Sequence, residues 1–98
     1  MGFHEKVWAL TARVPRGSVV TYGQIAEKLG GRAYRAVGQA MHNNPYAPTV
    51  PCHRVVGSDG SLTGFASGLA KKRRLLKAEG VTLTKSGKVD LSKHRFAL

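Results

Sequence analysis

Cys52 is the single cysteine of this 98-residue chain, and it stands between Pro51 and the pair His53-Arg54. Those residue types in that order can make a nucleophile. A thiolate rather than a thiol attacks carbon, and a nearby cation or general base lowers the thiol pKa below its ordinary value of about 8.5. A lone cysteine is more often an inert buried residue. Here Asn44-Pro45, Pro48 and Pro51 lead into Cys52-His53-Arg54-Val55-Val56-Gly57, a stiff apolar rim around one reactive group, and that setting favours chemistry. No intramolecular disulfide can form. Cys52 and the scattered His4, His42, His53 and His94 assemble no four-ligand zinc set, so no structural metal is expected.

Sixteen Lys and Arg against five Asp and Glu give a formal charge of +11, which points to a polyanionic partner, nucleic acid first. The run Lys71-Lys72-Arg73-Arg74 taken alone is as compatible with a solvated face as with DNA contact. Residues 69–79 match a membrane-surface helix only in part, and no apolar run long enough to span a bilayer occurs. Met1-Gly2-Phe3-His4-Glu5-Lys6 lacks the apolar run of a signal peptide. The expectation is a single domain over 1–98, a monomer, in the cytosol, or in the nucleus if the source has one.

The elements that must position Cys52 follow from periodicity and turn residues. Phe3, Val7, Leu10 and Val14 recur at helical spacing, which predicts a first helix ended by Pro15-Arg16-Gly17. Val19-Val20 is read as an extended link. Thr21-x-x-Gln24 is a capping box opening a helix to about Leu29, stopped by Gly30-Gly31. A second short helix runs from Ala33 to about Met41, closed before Asn44-Pro45. Helix, glycine turn, helix is a helix-turn-helix. Gly57, Gly60, Gly64 and Gly68 mark a flexible loop, followed by a helix from Leu69 to Glu79. A terminal hairpin is expected around Ser86-Gly87, pairing Val81-Thr82-Leu83 with Lys88-Val89-Asp90-Leu91. The predicted fold is therefore mainly α with a small β-hairpin, a winged helix-turn-helix-like DNA-binding domain. Its second helix carries Arg35 among small residues, too bland to read a base sequence in the major groove.

The string Pro51-Cys52-His53-Arg54-Val55 resembles the active-site motif of the O6-alkylguanine-DNA alkyltransferases. The likeness extends to Val20-Thr21-Tyr22-Gly23-Gln24-Ile25-Ala26, Arg35-Ala36-Val37-Gly38-Gln39-Ala40-Met41, Asn44-Pro45 and Leu75-Leu76-Lys77-Ala78-Glu79-Gly80, in the family's order. It covers roughly residues 3 to 84, the family's DNA-binding and alkyl-transfer domain, without the separate N-terminal domain of many members. The resemblance implies duplex DNA bearing O6-alkylguanine, or O4-alkylthymine, as partner. It further implies minor-groove binding, a flipped base, and single-use transfer of the alkyl group to Cys52. His53 would take the cysteine proton through a water, Glu79 would orient His53, and Asn44 would brace the turn. Tyr22, Met41, Val55, Phe65 and Ala66 would line the lesion pocket. Thr21, Tyr22, Ala33, Arg35, Gln39, Arg54 and Ser58 would meet DNA, with Arg35 filling the gap left by the flipped base. Members commonly carry tyrosine where this chain has Phe65 and a small polar residue near Ala66, so a side-chain hydroxyl is missing on the leaving-group side. Two rivals are carried forward. Alkyltransferase-like proteins bind lesions without repair and usually replace the cysteine by tryptophan or alanine. A plain helix-turn-helix regulator would bind one undamaged sequence and be indifferent to Cys52.

Overall fold

The computed structural model describes residues 2–46, 49–63 and 68–98. Helix α1 (Phe3–Thr11) leads through a turn to strand β1 (Val20–Thr21), which runs straight into α2 (Tyr22–Lys28). Helix α3 (Tyr34–His42) follows, then strand β2 (Val55–Val56), α4 (Leu69–Ala78) and the single turn α5 (Leu91–His94). The first helix stops short of Val14, because Arg13 and Val14 donate to the carbonyls three residues back, at Leu10 and Thr11. Val14 is buried all the same, tucked under the helix end.

The start of α2 is set locally. Thr21 Oγ1 accepts from the Gln24 amide at 3.0 Å, and Gln24 Oε1 accepts from the Thr21 amide at 2.9 Å. Such reciprocal caps satisfy two of the donors a helix start leaves orphaned, and loss of one costs about 1 kcal/mol. Gly30, at φ +87°, then reverses the chain toward α3 in a conformation other residues take only with strain. Helices α2 and α3 pack on one another and α1 packs across α3, where Trp8 Nε1 donates to the Ala40 carbonyl at 2.7 Å.

The sheet is where the fold departs from expectation. Beside the short terminal hairpin there is a parallel pair, with Val20 opposite Val55 and Thr21 opposite Val56. Successive strand residues face opposite ways. Accordingly Val20 and Val55 join the cluster of Val7, Val14, Ile25, Ala26, Val37, Ala40 and Met41. Val19 and Val56 join Leu76, Val81 and Val89 on the other side. Two residues per strand thus form the partition between the helix-turn-helix core and the α4 core. The terminal hairpin is reduced to one antiparallel bridge, Leu83 with Val89. Thr84 to Lys88 close a tight turn around Gly87 at φ +81°, and these polar residues have no apolar face to extend a ladder. The stretch from Gly57 is also tighter than a flexible loop, since Gly57 donates to Ser61 and Gly60 donates to Gly57, each at 2.9 Å.

Candidate active site

Cys52 opens a 3-10 turn, Cys52–Arg54, placed immediately before β2. Pro51 fixes its approach at φ −81°, ψ 72°, near the inverse γ-turn minimum, and the Cys52 amide donates back to the Val50 carbonyl at 2.9 Å. Asn44 braces that same carbonyl. Its Nδ2 donates to Val50 O at 2.9 Å, while its Oδ1 accepts from the Tyr46 amide at 2.9 Å, so one side chain ties the end of α3 to the residue two before Cys52. Cys52 itself is half-buried against the helix-turn-helix core.

The next two residues of the turn converge on a single carboxylate. His53 is buried, and its Nε2 lies 2.9 Å from Glu79 Oε2. Arg54 grips Glu79 with a fork, Nε to Oε1 at 2.9 Å and Nη2 to Oε2 at 2.7 Å, and its Nη1 donates to the Val14 carbonyl at 2.9 Å. Burial pushes the Glu79 carboxyl up, but the hydrogen bonds from Arg54 and His53 outweigh it and hold the group below its ordinary range. An ionised Glu79 accepts from Nε2–H of His53. A neutral imidazole so held keeps Nδ1 as its free acceptor, the state a general base needs. Glu79 sits at the C-terminal cap of α4, where a carboxylate opposes the helix dipole. The Arg54 fork supplies the compensation.

Behind Cys52 lies a group that the sequence presents as one of four surface cations. Lys72 is completely buried. Its ammonium donates to the carbonyls of Val55 at 2.6 Å and Thr63 at 2.8 Å, and it lies 5.9 Å from the centre of the Tyr22 ring. Burial pulls its pKa down to about 8, an effect that a Cys52 thiolate opposes. Tyr22 OH also donates to the Thr63 carbonyl, at 3.3 Å. Burial raises the Tyr22 pKa, with the Thr63 contact acting the other way. The signal for Lys72 was available: it falls on one helical stripe with Leu76, which is fully buried.

The residues expected at DNA divide into three groups. Arg35, Ala33, Gln39 and Ser58 are exposed. Arg35 and Tyr22 share a surface hollow of about 400 Å³ with Tyr34, Gly38 and Thr63. Ser58 and Tyr22 share a second hollow, of about 590 Å³, with Gln24, Tyr34 and Arg95, two of which sequence reasoning passed over. Thr21 is buried, with its hydroxyl oxygen spent on the α2 cap. Arg54, expected among the DNA contacts, is instead committed inward to Glu79 and Val14. Val55, expected on the pocket wall, exposes no surface because its strand face belongs to the core, and Met41 is 95% buried beside it (5% exposed). Phe65 and Ala66 lie outside the described residues.

Among the described residues no group of three His, Cys, Asp or Glu could hold a metal ion. No helix among them is long and apolar enough to cross a membrane. The acids are largely consumed internally: Glu79 by Arg54, Asp59 by Lys88 at 2.9 Å, Asp90 by the cap of α5 and Glu5 by the cap of α1. The surface cations therefore go mostly uncompensated.

Fold and site together define a helix-turn-helix domain built around a braced cysteine whose neighbouring histidine is oriented by a carboxylate. Residues 2–81 match the family of 6-O-methylguanine DNA methyltransferase, DNA binding domain, and the chain belongs to that family. It is 54% identical over 78 residues to a methylated-DNA–protein-cysteine methyltransferase of Methanosarcina barkeri, covering 79% of this chain and 49% of the relative. The corresponding figures for the Shigella flexneri protein of the same name are 48% over 82 residues, 83% and 48%. The chain thus spans about half the length of these curated relatives. Among solved structures, Mycobacterium tuberculosis OGT in complex with DNA superposes with a TM-score of 0.77 at 45% identity, over 81% of this chain and 50% of that one. S. pombe Atl1 in complex with damaged DNA containing O6-carboxymethylguanine superposes with a TM-score of 0.79 at 34% identity, over 96% and 94% of the two chains.

Proposed function

We propose that this chain repairs duplex DNA by moving an alkyl group from guanine O6 to Cys52, after binding the minor groove and rotating the base out of the stack. The observation that carries this reading is the 2.9 Å contact between His53 and Glu79 directly beside Cys52. It leaves Nδ1 of His53 as the acceptor for the thiol proton, relayed by a water. The thiolate forms a bond to the alkyl carbon as the carbon–O6 bond breaks, and the guanine leaves with the proton restored at N1. The thioether on Cys52 has no easy route back to a thiolate, so each molecule acts once and needs no cofactor.

Arg35 and Tyr22 border one hollow, which suits the tasks of filling the vacated stack and crowding the flipped nucleotide's phosphate. Met41 and the half-buried face of Cys52 share the core cluster that would form the floor of the lesion pocket. A second reading, lesion binding without transfer, is supported by the near end-to-end likeness to Atl1. Intact-mass measurement after mixing with a duplex containing one O6-methylguanine separates the two. A gain of one methyl, absent in Cys52→Ser, is the expected result; tight lesion binding with no mass change would make the chain a damage sensor.

A further inference from the structure

The last 17 residues, 82–98, lie beyond the family's matched span of 2–81. They carry four Lys or Arg (Lys85, Lys88, Lys93, Arg95) against one acid, Asp90. They are nevertheless locked to the helix-turn-helix. Val19 donates to the His94 carbonyl and accepts from the Phe96 amide, both at 2.8 Å, so residues 94–96 add a parallel bridge to the strand that leads into α2. His94 Nδ1 contacts the Gly17 carbonyl at 3.1 Å, and Gln24 Nε2 donates to the Phe96 carbonyl at 2.8 Å. Phe96 and Leu98 pack on the helix-turn-helix core.

These anchors are made by backbone and neighbouring side chains, and they leave the Arg95 side chain exposed between two hollows. One is the 590 Å³ hollow that also holds Tyr22, Tyr34 and Ser58. Among the described residues no carboxylate lies within ion-pair distance of Arg95, although Glu27 borders both hollows. A guanidinium fixed at its Cα on the face assigned to the duplex, with no carboxylate paired to it among the described residues, fits a phosphate oxygen. We infer that the C-terminal segment is part of the DNA interface and that Arg95 is a backbone-phosphate contact supplied by it. This rests on the DNA reading of the proposed function. Such a contact adds affinity and register without reading base sequence.

The test is fluorescence anisotropy of undamaged and O6-methylguanine duplexes across a salt series, with wild type, Arg95→Ala, Arg95→Lys and Arg35→Ala. Each phosphate neutralised contributes about 0.9 to the slope of log K against log salt. Arg95→Ala should therefore lower the slope by about 0.9 and weaken both duplexes equally, and Arg95→Lys should restore the slope. An Arg95→Ala slope equal to that of wild type, with Arg35→Ala impaired, overturns the tail's role and leaves the DNA reading standing. Wild type that shows no salt-dependent binding overturns both. Because no hydrogen bond among the described residues uses the Arg95 side chain, an unfolded Arg95→Ala, seen by circular dichroism, would also contradict the inference by giving that side chain a structural task.

Discussion

Lys72 makes stability rise with pH over a window in which an ordinary exposed lysine would leave it flat. Its folded pKa is about 8 against an ordinary 10.5, and its buried ammonium faces Cys52, the Tyr22 ring and the carbonyls of Val55 and Thr63. Between those two pKa values the unfolded chain holds the proton and the folded chain has released it. The unfolded state therefore binds more protons, and raising the pH favours the fold. At neutral pH both states are protonated, and the difference of about 2.5 pKa steps is a standing destabilisation of about 3 kcal/mol. Integrated from pH 7.5 to 9.5, the gain in unfolding free energy is about 2 kcal/mol. Burial raises the Tyr22 phenol above its ordinary 10.0, so the upper measuring point lies below the range in which it ionises. Urea unfolding at the two pH values reads the effect, with Cys52→Ser in every sample so that no thiol titrates. Removing the thiolate takes away an attraction that raises the Lys72 pKa, which widens the window. The comparison is with the same chain carrying Lys72→Met, and it is one of slopes, because methionine deletes the hydrogen bonds to Val55 and Thr63 along with the charge. Equal pH slopes in the two proteins would refute a buried, protonated Lys72.

Two further outcomes follow from the geometry. Glu79→Gln removes the charge facing the Arg54 fork, and the pair is largely buried, with side chains 17% and 9% exposed. The expected stability loss is about 3 kcal/mol, and the methyl-transfer rate, followed by quenched intact mass, should fall roughly 100-fold; an unchanged rate would remove Glu79 from the proton path. Gly60→Ala places a Cβ against the Val89 carbonyl at a φ of +89°, which should cost on the order of 3 kcal/mol by chemical denaturation; a loss under about 1 kcal/mol would mean that the Gly60–Val89 contact is not held in solution.

What could be read from the chain was local. The Thr21–Gln24 box is complete within four residues, and Gly30 and Gly80 end α2 and α4 at positive φ. The parallel pairing was not legible, because Val20 and Val55 are separated by 35 positions and neither two-residue strand carries an alternation long enough to register. The tail escaped for the same reason: its bridge to Val19 is a single residue. Arg54 and Lys72 were misread because charge suggests solvent. Both turn inward, one onto a carboxylate and one onto two carbonyls, and only partners distant in sequence make burial of a cation tolerable. The turn at Cys52 was legible because Pro51 stiffens the chain there without tertiary context.

The position of Glu79 connects the rigidity of the site to its reactivity. Three consecutive residues share one turn: Cys52 holds the thiol, while His53 and Arg54 both reach the same carboxylate. The fork from Arg54 keeps Glu79 ionised against burial and against the dipole of α4. That charge in turn fixes which nitrogen of His53 holds the proton. A carboxyl whose folded pKa lies below its ordinary 4.5 contributes stability that is complete above that value and is lost as pH falls through the lower one. Acid strong enough to protonate Glu79 therefore loosens the Arg54 clamp and the carboxylate's hold on His53 in one event. A site that used separate carboxylates for the two tasks would lose them at separate pH values. Here the brace of the turn and the orientation of His53 stand or fall together, because α4 brings a single acid to both.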